Sequence, residues 1–182
     1  MKHYFRILIL LLIASLSGLI QAHDQHLATV HIRRSDAGRW LFELMTPLPA
    51  LDQAMRASLP EAQRNMLAGS TAYKEAVVAY VKKGFAVSVS GRSKADQVVN
   101  ALPLSLGQGR LRLDEHVSTL QFEIKGMPAA VEQLEFSLAY MADNPRQNNF
   151  VRLIDGDRSK RYILNVQNNF SGKDSEFFAA KK

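Results

Sequence analysis

The sequence predicts a mainly β domain (α+β), an antiparallel β-sandwich of Ig-like kind with a helical insertion of two to three helices after its first hairpin. Three observations predict it. Apolar residues alternate with polar ones in roughly seven or eight short runs separated by turn residues. One stretch, about 49–84, changes to the spacing of an amphipathic helix. The chain shows no β-α-β alternation of the kind that builds a doubly wound sheet. Its 182 residues are 47% hydrophobic and 22% charged, a globular balance that excludes a disordered chain, a collagen-like repeat and a multi-span membrane protein. Cysteine is absent, which excludes a disulfide scaffold, a thiolate zinc site, a cysteine nucleophile and a lipid-modified N-terminal Cys.

The first segment reads as an address. Lys2 and Arg6 precede an apolar run over 7–14, small residues follow, and Ala22 closes the segment. That is the pattern of a secretory signal peptide, here 1–22. Ser15, Ser17 and Gly18 interrupt the run, which falls short of the ~20 apolar residues that a membrane span needs. The expectation is a mature chain that begins at His23, lies in the periplasm or is secreted, and has no transmembrane span once the signal is cleaved. A single domain over 23–168 and a polar C-terminal tail over 169–182 follow.

Along that domain, 27–34 alternates with Ala28, Val30 and Ile32 on one face. Ser35-Asp36-Ala37-Gly38 is a turn, and 39–46 alternates with Trp40, Phe42 and Leu44 inward. Two period-2 runs around a Gly-containing loop predict a β-hairpin. Pro47 and Pro49 stop that strand. Leu51, Met55 and Leu59 then stand at helical spacing. Pro60 predicts a second short helix over 60–67. Ser70 or Thr71 can cap a third, with Tyr73, Val77, Tyr80 and Val81 as its stripe and Gly84 as its stop. Alternation returns at Phe85, Val87 and Val89. The 98–106 stretch carries Pro103, which marks an edge strand or an irregular crossing. Gly107-Gln108-Gly109 is expected to be a turn. Ser118, Leu120, Phe122 and Ile124 share one face of a strand, as do Leu134, Phe136, Leu138 and Tyr140. Asp155-Gly156 between two alternating runs predicts the last hairpin.

Candidate chemistry is sparse. A mature N-terminus at His23 offers an α-amine and an imidazole together. His26 or His31 adds a second imidazole, completing a nitrogen-rich set suited to Cu(II), Ni(II) or Zn(II). His31 by itself reads as a histidine on the polar face of the first strand. Asp114, His116 and Ser118 lie close in sequence, but adjacency is not triad geometry and no Gly-x-Ser-x-Gly elbow is present. Asp155-Gly156-Asp157 lacks the further acidic ligands of a calcium loop. The amide-rich run from Asn144 to Asn149 suits bonding to loop backbone. The formal charge of +6 comes without a dense basic block, so nucleic acid is not an expected partner.

Taken together, the signal peptide, the His23 and His26 spacing, the 27–46 hairpin, Asn149-Phe150-Val151 and Lys160-Arg161-Tyr162-Ile163-Leu164 resemble a family of uncharacterised secreted bacterial domains. The resemblance covers most of the chain after the signal. It implies a β-rich fold and an exported location, and no reaction. Asp24-Gln25 stands where that family often has an aromatic residue. The N-terminal His is also similar to that of copper-handling periplasmic β-sandwich carriers. The expectation is an exported, non-enzymatic periplasmic accessory or binding domain without a cofactor, with an envelope protein as its partner. The alternative is a periplasmic Cu, Ni or Zn binding or delivery protein that uses the mature N-terminal histidines.

Overall fold

The computed structural model describes residues 27–114 and 116–178. His23, His26 and the expected signal peptide lie outside them. The described chain is mainly β, with two mostly antiparallel sheets about one shared core. β1 (Leu27–Arg34) and β2 (Trp40–Thr46) form the predicted first hairpin. Ala28, Val30, Ile32, Phe42 and Leu44 are fully buried. Gly38 takes φ +73° in the turn, and its N–H donates to the Ser35 carbonyl at 2.8 Å.

The insertion holds two α-helices, α1 (Leu48–Ala57) and α2 (Thr71–Lys83). The segment expected to be a second helix over 60–67 is only a 3-10 turn at Glu61–Gln63 with no buried residue. A short helix without an apolar face to bury does not offset its nucleation cost. Leu51 and Met55 of α1 and Tyr73, Val77 and Val81 of α2 are buried as their spacing predicts. The Ser70 hydroxyl caps α2 by accepting from the Tyr73 N–H at 3.2 Å.

β3 (Ala86–Arg92), β4 (Val98–Pro103), β7 (Ala130–Ser137) and β10 (Ser171–Asp174) make the smaller sheet, ordered β10-β7-β3-β4. The larger sheet runs β5-β6-β2-β1-β8-β9, adding β5 (Ser105–Arg112), β6 (Ser118–Lys125), β8 (Asn148–Asp155) and β9 (Arg158–Leu164). The chain crosses between sheets at Leu104, directly after Pro103, so the proline sits on an edge strand where it interrupts no inner ladder.

Three further sequence expectations change. Gly107 to Gly109 is not a turn; it lies within β5 at a bulge against β6. A Cβ on Gly109 would lie 2.2 Å from the Phe122 ring and 2.7 Å from the Gln121 carbonyl. The glycine therefore permits the close approach that keeps β5 paired. Pairing is antiparallel except between β1 and β8, which run parallel in the middle of the larger sheet. Residues 169–178 of the expected polar tail pack on the domain. β10 pairs with β7, and Phe170 and Phe177 are buried, so the apolar side chains at the two ends of this stretch hold it on the core. The last hairpin forms as expected, with Gly156 at φ +59° opening a two-residue loop between Asp155 and Arg158.

Candidate functional site

The two ends of the sheets differ. At one end the helices close the space between them. The Tyr140 hydroxyl donates to the Val81 carbonyl at 3.0 Å, and the Met141 N–H donates to the Tyr80 hydroxyl at 3.0 Å. Phe42 packs on Phe85 at 5.2 Å and on Tyr140 at 6.1 Å between ring centres. Gln147 and Asn149 are buried at this same end. Gln147 donates to the Asn149 side chain at 2.7 Å, and Asn149 donates to the carbonyls of Leu138 and Tyr140 at 2.7 and 3.1 Å. The amide-rich run therefore bonds backbone, as its composition suggests.

The opposite end is open. The β1–β2 turn, the β3–β4 turn, the β6–β7 connection and the β8–β9 hairpin surround a cleft of about 880 Å³, within the ~300–1,000 Å³ range of ligand pockets. Trp40, Ile124, Val131, Leu102, Met127 and Phe178 supply its apolar surface. The Trp40 and Phe178 rings meet edge to face at 5.8 Å.

Its charged lining is unequal. Five cations, Arg34, Arg39, Lys94, Lys125 and Arg158, face two carboxylates, Glu123 and Asp155. Both carboxylates are taken: Glu123 by Lys125 at 2.7 Å and Asp155 by Arg158 at 2.9 Å. The Lys125 hydrogen bond holds the Glu123 carboxyl below the ordinary carboxylate range against partial desolvation, with the Lys125 and Arg39 charges adding to it. Arg158 also donates to the Phe177 carbonyl at 2.9 Å, with its guanidinium 5.4 Å from the Phe177 ring centre. That contact anchors one wall. Arg34 pairs in register with Trp40, making it the next member of the inward series Ala28, Val30 and Ile32.

A second anchor lies behind that wall. The buried Asp174 carboxylate accepts from the Phe177 N–H at 2.6 Å, from the Tyr162 hydroxyl, and from Lys160 at 2.5 Å. Burial pushes the Asp174 carboxyl up, but these three donors outweigh it and its pKa falls below the ordinary value.

Two other concavities have different linings. A groove of about 660 Å³ runs along β3, β7 and β10, where Lys173 and Glu135 neutralise each other at 2.7 Å. A groove of about 360 Å³ lies between α1 and the loop over 141–147.

Of the histidines singled out as metal ligands, only His31 is among the described residues. His31 lies on β1 with Nδ1 3.5 Å from a Glu43 carboxylate oxygen, and Arg33 Nε is 3.9 Å from the same atom. Among the described residues no group of three or more His, Cys, Asp or Glu is placed to hold a metal ion. Ser118 is buried, and its hydroxyl donates to the Asp114 carbonyl at 3.0 Å and accepts from the Asp114 N–H at 3.1 Å. The Asp114 side chain accepts from the His116 N–H at 3.0 Å. These three residues form a turn clasp. The cleft itself was missed in the sequence. Its signal was Arg34, a cation at the parity of the core.

A scan against protein-family models finds no match to the chain, and a search of curated proteins finds none.

Proposed function

We propose that the protein is an exported, non-enzymatic binding domain of the envelope, an Ig-like sandwich that takes its ligand at the open end between its sheets. One observation carries the reading: the helices close one end of the shared core, while the other keeps a cleft of about 880 Å³ with aromatic surface and excess cationic charge. A few charged groups over an apolar surface are the usual make-up of a ligand site. The cleft is built from strand ends and short turns, so its walls are held by the sheets beneath them. The export half of the reading rests on the N-terminal charge, apolar run and Ala22.

The test has two arms. N-terminal sequencing of the protein recovered from the envelope fraction is expected to begin at His23; retention of residues 1–22 removes the export reading. Chemical-shift mapping with a library of small fragments of mixed charge is expected to place the saturable responses at Trp40, Leu102 and Met127. Responses confined to the groove between α1 and the 141–147 loop, or none that saturate, remove the cleft as the binding site.

A further inference from the structure

The cleft's chemistry narrows what it takes, given the reading above that this end is the binding site. Arg34, Arg39 and Lys94 make no ion pair among the described residues, whereas Lys125 and Arg158 do. The three lie at two of the turns around the mouth, one from each sheet. Arg34 and Arg39 flank the β1–β2 turn, and Lys94 lies in the β3–β4 turn. The apolar part of the lining is Trp40, Leu102, Ile124, Val131 and Met127, and the two carboxylates of the lining, Glu123 and Asp155, are already paired with Lys125 and Arg158. Charge sits at the lip and apolar surface within. Asp36 and Asp96, in the same two turns, do not line the cleft; Asp96 is engaged by Arg92 at 3.2 Å.

Neither half of that surface is satisfied by the other's ligand. A bare inorganic anion would leave the aromatic surface wet, and a neutral hydrocarbon would leave the excess cationic charge of the lining unmatched. Guanidinium groups present planar, paired donors that match a carboxylate or a phosphate. A chain of methylenes gains from each group it buries against Trp40 and its neighbours.

We infer that the cleft binds a single-chain anionic amphiphile, its carboxylate or phosphate head on Arg34, Arg39 and Lys94 and its alkyl chain along Trp40 toward Val131 and Met127. A free fatty acid and a lysophospholipid share this chemistry.

Trp40 is the only tryptophan in the sequence, so its fluorescence reports this site alone. The experiment titrates the protein, below the micelle threshold of each probe, with dodecanoate, dodecyl phosphate, dodecanol, inorganic phosphate and a lysophosphatidylglycerol. Dodecanoate and dodecyl phosphate are expected to give a saturable change in Trp40 emission. Dodecanol and inorganic phosphate are expected to bind at least about tenfold more weakly, since each lacks one half of the match. Anion binding is expected to weaken as salt rises, because the head sits at an exposed lip. In the Arg34→Gln, Lys94→Gln double variant, anion affinity is expected to fall about tenfold or more while that for dodecanol is unchanged. Both positions are exposed, and an unchanged thermal midpoint confirms that the variant folds. Binding of dodecanoate alone assigns the free acid; binding of lysophosphatidylglycerol alone assigns the lipid head; both support the inference.

Equal affinity for dodecanol and dodecanoate overturns it, as does undiminished anion binding by the double variant. If no amphiphile binds while fragments still respond at Trp40, this inference falls and the binding-domain reading stands. If fragments fail there as well, both fall.

Discussion

The Asn149 side chain, on β8 of the larger sheet, donates to the Leu138 carbonyl just beyond β7 of the smaller sheet at 2.7 Å. One fully buried amide thus ties the two layers at the end the helices close. It also reaches the Tyr140 carbonyl and accepts from Gln147, so its hydrogen-bonding capacity is spent on groups that no solvent reaches.

Asn149→Ala takes the side-chain donor from two buried carbonyls and leaves the Gln147 amide only its longer bond to the Asn148 carbonyl, at 3.4 Å. Stability is expected to fall by about 2–4 kcal/mol, read as a lower urea midpoint with an unchanged slope. Asn149→Asp is expected to be worse at neutral pH, because it sets a carboxylate against two carbonyls. A midpoint within error of the parent for either variant would contradict this role.

Gly109→Ala drives a methyl into the Phe122 ring and the Gln121 carbonyl. The expected cost is about 1–3 kcal/mol. Phe122→Leu in the same chain removes the ring contact but leaves the backbone one, so the double variant is expected to show partial, non-additive rescue in a mutant cycle. Simple additivity would mean that the strain lies elsewhere.

Asp174 carries an acid-sensitive latch. Its carboxyl is held below the ordinary value by Lys160, Tyr162 and the Phe177 N–H, against burial. A depressed native pKa gives stability that is complete above the unfolded value of about 3.9 and is lost as pH falls through the native value. Amide protection at Gly172 and Lys173, taken relative to the intrinsic exchange rate at each pH, is therefore expected to fall on acidification below about pH 4. Asp174→Asn, which cannot ionise, is expected to exchange faster at neutral pH and to show no acid step at that segment. An unchanged acid step in the variant would assign it to another carboxylate.

Tyr73, Tyr80, Tyr140 and Tyr162 all ionise above the ordinary tyrosine value, burial being the leading cause in each; Tyr73 is pushed up to about 12. The native state therefore holds protons that the unfolded chain gives up from about pH 10, and stability declines as pH rises through that window. Phenolate absorbance is expected to lag and then appear together with the loss of circular dichroism. Full phenolate near pH 10 with the native spectrum intact would show that these hydroxyls are accessible.

Periodicity was enough to place most strands because a half-buried strand must alternate. Ile32, Phe42, Leu120 and Leu134 lie inward as their parity predicts. The same parity, carried one step past Ile32, reaches Arg34, a cation on the core-facing series. That single irregularity was the legible trace of the cleft. The rest of the lining comes from five separate stretches of chain, and no local pattern records that they meet. Gly107 to Gly109 misled for a related reason: paired glycines signal a turn locally, while here a partner strand supplies ladder bonds and the absent Cβ admits Phe122.

The features legible along the chain are therefore local: the mainly β class, the inward faces, the two amphipathic helices and the Gly156 hairpin. These depend on residue spacing and backbone preference, which neighbours along the chain decide. Tertiary structure alone decided the parallel pairing of β1 with β8, the docking of 169–178 through Asp174 and Phe177, and the contrast between a closed end and an open one. Those depend on which distant surfaces bury each other and on where unpaired charge is left over, quantities that exist only once the chain has folded.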